Sequence, residues 1–129
     1  MIVIDASTVL DLLLNTDDAA AIADRVLVPG ETLHAPHLLD LEVAQVLRRY
    51  AIAGALTDER GRQALDDLGD LPLDRYPHAV FLERIWELRH NLTAYDAAYV
   101  ALAETLNATL VTRDAALATA RHRARVEVI

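Results

Sequence analysis

The sequence predicts an α/β protein in which a mainly parallel central sheet lies between layers of helices. Three observations lead there. Short runs of strand length occur near residues 3–4, 33–36, 109–112 and 126–129, the first of them β-branched. Longer stretches between them repeat their apolar residues at helical spacing. The two kinds alternate over all 129 residues, and parallel strands require such crossovers.

Each element follows from local chemistry. Val3 and Ile4 form a buried strand that stops at Asp5. Asp5, Ala6 and Ser7 open an apolar helix to about Leu14, and the run Asn15-Thr16-Asp17-Asp18 ends it. A second helix spans about 18–26, Pro29-Gly30 marks a turn, and a short strand covers 33–36. A long helix follows over about 38–53 and ends at Gly54; Thr57-Asp58-Glu59 starts the next, to about 68. Residues 71–73 read as a weak strand, 78–88 as a helix, 93–106 as an alanine-rich helix and 109–112 as a strand. Asp114 starts a short helix, and 126–129 closes with a strand. No repeat or linker interrupts the chain, so 1–129 reads as one domain.

Composition narrows the function. At 53% hydrophobic residues the chain supplies a core without staples. With no cysteine there is no disulfide or thiolate zinc site, and a reducing, cytoplasmic setting fits. The first apolar residues are too few for a leader, and no apolar run is long enough to span a membrane. The net charge of −8 argues against a generic nucleic-acid coat. All twelve basic residues are arginine. The absence of lysine removes P-loop enzymes and counts against a Mg²⁺-dependent phosphoryl-transfer domain of the receiver or dehalogenase kind, which places a lysine near the phosphate. With four glycines there is no glycine-rich phosphate fingerprint either. His34 and His37 are three apart, but Pro36 intervenes and a zinc site is not expected.

Four carboxylates stand out: Asp5, Glu42, Asp96 and Asp114. Asp5 and Asp114 share one address, just past an apolar strand and at the start of a helix, where ligands of open parallel sheets bind. Each could equally be a helix cap. Asp96 fits a capping box opened by Thr93, yet its helical neighbours Tyr99 and Val100 form a face where an ionised group needs a partner or a metal. Glu42 borders the apolar stripe of its helix and could pair with Arg49; Asp40 rivals it, and periodicity does not choose between them. Carboxylates gathered in one pocket repel each other, and a hard divalent cation such as Mg²⁺ or Mn²⁺ removes the conflict. Such an ion serves phosphodiester hydrolysis.

The segments Val3-Ile4-Asp5-Ala6-Ser7, Ala35-Pro36-His37-Leu38-Leu39-Asp40-Leu41-Glu42-Val43 with Leu47-Arg48-Arg49, Thr93-Ala94-Tyr95-Asp96-Ala97-Ala98-Tyr99-Val100-Ala101-Leu102-Ala103 and Leu110-Val111-Thr112-Arg113-Asp114 resemble, in order, the blocks of VapC-type PIN domains. The resemblance covers essentially the whole chain. It implies a PIN-like three-layer fold and a metal-dependent endoribonuclease that uses a metal-activated water. It further implies the toxin half of a toxin–antitoxin module, with a cognate VapB-type antitoxin and a homodimer. It matches Asp5 and Asp96 to the principal metal ligands, Glu42 rather than Asp40 to the helix-borne acid, and Asp114 to the more variable fourth. Ser7 and Thr112 match supporting hydroxyls.

RNA contacts are expected from Arg48, Arg49, Arg113, Arg121 and Arg123, with 121–125 the densest basic patch. Tyr95 and Tyr99, one helical turn apart, could stack bases, though core packing is the plainer reading. Apolar residues near 12–14 and 81–86 are candidate contact surfaces, and core burial would explain them as well. The non-enzymatic alternative is an α/β module that binds RNA or protein, with its acids serving only as caps.

Overall fold

A computed structural model describes residues 1–129. Five strands, β1 (Ile2–Ile4), β2 (Leu33–Pro36), β3 (Leu73–Tyr76), β4 (Thr109–Thr112) and β5 (Arg125–Val128), form one sheet in the order β3-β2-β1-β4-β5. Every pairing is parallel. The central β1 is wholly buried, as expected of a strand covered on both faces.

Seven helices connect the strands: α1 (Ala6–Leu14), α2 (Ala19–Val26), α3 (Leu38–Ile52), α4 (Asp58–Asp70), α5 (Leu82–Glu87), α6 (Ala94–Leu106) and α7 (Ala115–Thr119). Helix α6 packs on β1, β2 and β4, with α5 against it, while α1 packs against α2, α3 and α4. Every residue from Ala97 to Ala103 is buried. The alanines explain this, since their small side chains let the backbone sit close to the sheet. Helix α1 ends where Asn15 adopts a left-handed conformation, φ 51°, which asparagine tolerates.

Two elements differ from the sequence reading. The third strand starts at Leu73, not residue 71, and runs on to Tyr76. Pro72 has no N–H to give a ladder, and the pairing with β2 begins at Leu33–Leu73. The helix expected over 78–88 is a 3₁₀ turn, His78–Phe81, followed by the short α5. The tight turn delivers Phe81 to the core, whereas α5 itself has no buried residue.

Candidate active site

From β1 the chain moves outward to β2 and β3, then crosses back to β4 on the other side of β1. The carboxyl ends of β1 and β4 therefore flank the point where strand order reverses, and a crevice opens at such a point. Asp5 follows β1 directly, and Asp114 follows Thr112, the last residue of β4, by two positions.

Asp5 is buried, and both of its oxygens are engaged. Oδ1 accepts from Ser7 Oγ (2.7 Å), Thr8 Oγ1 (2.9 Å) and the Thr8 backbone N–H (3.1 Å). Oδ2 accepts from Thr112 Oγ1. The Thr112 hydroxyl in turn accepts the Asp114 N–H at 3.0 Å, and Ser7 Oγ accepts the Arg113 N–H at 3.3 Å. Hydroxyls thus stitch the ends of β1 and β4 together around Asp5. Asp114 caps α7, accepting the Ala116 N–H at 2.9 Å, and its side chain stays at the surface. Both residues cap a helix, one of the two roles the sequence left open for them.

Asp96 lies in the first turn of α6, after the Thr93 N-cap. Burial holds its carboxyl above the ordinary value; a hydrogen bond with Thr93 opposes this, and repulsion from Asp114 and Asp5 adds to it. Glu42, on α3, is also raised by burial first; a hydrogen bond from Tyr99 pulls it back, and repulsion from Asp96 and Asp5 pushes it up again. Four acids from four distant segments therefore share one electrostatic neighbourhood.

No arginine, histidine or amino terminus pairs with any of the four. Nor do any three His, Asp or Glu side chains form a ready-made metal cage. An open set of all-oxygen donors with uncompensated charge suits a hard cation that keeps several of its waters, as Mg²⁺ does.

The other candidates divide. Asp40 belongs to the framework: it accepts from Arg75 Nε (2.8 Å) and Nη2 (3.0 Å). Glu42 does not pair with Arg49, but both line one groove beside the acids, with Ser7, Leu41 and Tyr95. Arg48 and Arg49 are exposed and outside any ion pair. Arg113 is tied to Asp11 (3.0 Å) and Asp18 (2.6 Å). The densest basic patch is not brought to the acids. Arg123 lines a recess with Arg84, Glu104 and Arg125, and Arg125 pairs in register with Thr109, at the opening end of β4. Arg121 is exposed in the segment leading into β5. His34 is buried between Thr32 Oγ1 and the Tyr76 hydroxyl, each at 2.7 Å. Tyr95 is 65% exposed, against the expectation of core packing, while Tyr99 is in the core.

The family model described as PIN domain matches residues 2–122. Ribonuclease VapC9 of Mycobacterium tuberculosis is 52% identical over 114 residues, which is 88% of this chain and 86% of that protein. This chain belongs to the PIN-domain family, with the VapC ribonucleases. Among solved structures of similar fold, PAE2754 from Pyrobaculum aerophilum superposes with a TM-score of 0.72 at 25% identity, covering 98% of this chain and 83% of that one. VapBC2 from Rickettsia felis, solved bound to a DNA fragment from its promoter, shares the PIN-domain fold with a TM-score of 0.72 at 15% identity, over 99% and 98% of the chains.

Sequence reasoning missed two groups in this PIN domain. Thr8 places a fully buried hydroxyl on Asp5 and on the Val111 carbonyl oxygen (3.3 Å); a hydroxyl three residues past a candidate cap was the available signal. The Tyr99 hydroxyl, which the sequence left to packing or base stacking, donates to Glu42 Oε1 at 2.8 Å.

Proposed function

We propose that this PIN-domain chain is a divalent-cation-dependent endoribonuclease, the toxin half of a toxin–antitoxin pair, acting through Asp5, Glu42, Asp96 and Asp114. One observation carries the reading: these acids approach one another at the ends of β1 and β4 and no cation of the chain answers them. The naming of relatives such as VapC9 as ribonucleases supports the reaction class. The VapBC2 pair supports an antitoxin as partner.

Asp5 and Asp96 would hold Mg²⁺ or Mn²⁺, with Glu42 and Asp114 reaching it through water. When bound, such an ion supplies charge neutralisation at the phosphodiester and a lowered pKa for water. The chain's own residues do the positioning. Ser7, Thr8 and Thr112 fix both oxygens of Asp5, so the carboxylate need not reorganise when a cation or phosphate arrives. Arg49, free and beside Glu42 in the groove, is placed to meet a neighbouring RNA phosphate, with Arg48 next to it. Arg113, Arg121 and Arg123 would serve RNA farther from the cut. The exposed Val80, Leu82 and Trp86 offer an apolar face for a second copy, giving a homodimer.

The test is cleavage of RNA with Mn²⁺ by the Asp5→Asn and Asp96→Asn variants. Asparagine caps a helix as well as aspartate, so folding should survive. Activity should fall by more than about 100-fold, beyond the ~10–100-fold typical of outer-shell partners. Full activity in both variants would overturn the assignment.

A further inference from the structure

Tyr99 is the only side chain with a polar group in the buried run Ala97–Ala103. Its ring is 2% exposed and among the largest fully enclosed groups of the protein. Packing alone would accept phenylalanine. A buried phenol requires a hydrogen-bond partner, and here the partner is Glu42 Oε1 at 2.8 Å. Two acid-bearing segments thus meet at this bond: Asp96 lies three residues before Tyr99 on α6, and Glu42 accepts from it across to α3.

Glu42 otherwise has little to hold it. No cation pairs with it, and Tyr99 is the one side chain that donates to it. A glutamate carries three side-chain rotors, and without an anchor its carboxylate would sample many positions. We propose that Tyr99 is a positioning residue: its hydroxyl, held in the core, fixes the Glu42 carboxylate for use by the divalent cation. The inference rests on the proposed role of the four acids. It adds that the donor on α6 is a built part of the site and not a satisfied core group.

Tyr99→Phe removes the hydroxyl and keeps the ring. Mn²⁺ binding is read by calorimetric titration and by the free-ion electron spin resonance signal, with melting in a chelator as the folding control. The expected result is near-native melting with Mn²⁺ affinity lowered on the order of 10-fold. The Mn²⁺ concentration for half-maximal RNA cleavage should rise in step. Glu42→Gln probes the same contact while leaving Tyr99 in place, and adding Tyr99→Phe to it should cost little more, because the two act as one unit. Native Mn²⁺ affinity in Tyr99→Phe, or independent and additive losses, would overturn the proposal. Should Tyr99→Phe fail to fold, Glu42→Gln decides: undiminished Mn²⁺ affinity there overturns the proposal too. A wild type that binds Mn²⁺ but cleaves no RNA would sink only the ribonuclease reading, whereas one that binds no Mn²⁺ overturns both.

Discussion

Two groups of acids, one toward each end of the sheet, are held in opposite ways. Where the strands begin, Glu104 accepts from Arg84 Nε at 2.8 Å and Nη2 at 3.0 Å and from the Arg123 N–H at 2.9 Å. Burial alone would raise its pKa; the Arg84 hydrogen bond, the Arg123 N–H and the two positive charges outweigh burial and hold it below its ordinary value. Glu31, at the same end, meets the amino terminus at 2.8 Å. Where the strands finish, Glu42 and Asp96 are half-buried with no cation, and burial with mutual repulsion holds both above their ordinary values. The protein has twelve arginines. It pairs framework acids such as Glu104 and Asp40 and leaves this group unanswered, which supports the proposal that an external cation completes it.

The contrast should be plainest in metal dependence. Mn²⁺ at about 100 times its dissociation constant should stabilise the wild type by roughly 2.7 kcal/mol. Calorimetry should show the same gain in Glu104→Gln and none in Asp5→Asn. An unmoved wild-type melting temperature would erase the distinction between the two ends. Next in size, Glu104→Gln leaves Glu87 as the one charged partner of the Arg84 guanidinium and should cost about 1–3 kcal/mol in urea melts, with RNA cleavage unchanged. Loss of cleavage there would show that the framework end also acts in the chemistry.

A smaller effect concerns pH, and the two ends should have opposite signs. The ordinary values of Glu42 and Asp96 are 4.5 and 3.8. Above them the unfolded chain has released its protons while the folded state still holds them. Without metal, their contribution to stability therefore falls as pH rises through the raised folded values. Glu104 does the reverse: its contribution is present above 4.5 and is lost as pH falls through its lowered folded value. Melting in chelator from pH 4 to 7 should show Asp96→Asn gaining on the wild type as pH rises, by under about 1 kcal/mol, and Glu104→Gln losing ground. The smallest change expected in melting is for Ser7→Ala. It removes one of the four donors to Asp5, and cleavage should drop around 10-fold with little change in melting.

Much of the fold was legible because its signals are local. Strand-length β-branched runs, the Thr57 and Thr93 caps and Gly54 placed most elements within a residue or two. The third strand slipped because Pro72 sits among apolar residues and only pairing to β2 sets its start. The candidate site was legible in part. Asp5 and Asp114 announced themselves by following strands. The competition between Asp40 and Glu42 could not be settled by helical periodicity, since Arg75 and Tyr99, which separate their roles, are 35 and 57 residues away. The placement of the basic patch at 121–125 was not legible for a related reason: density along the chain says nothing about which end of a sheet it reaches.

By itself, the sequence determined the alternation of strands and helices, the caps, the surplus of acid over base and the residue types that suit a hard cation. Those are properties of neighbours a few bonds apart, and propensity and pattern encode them. Tertiary structure alone decided that β1 and β4 lie side by side, that Arg123 faces away from the acids, and that a phenol from α6 reaches a carboxylate on α3. Such decisions belong to chain crossing and packing. They join residues through space, where electrostatics and hydrogen bonding act regardless of distance along the chain.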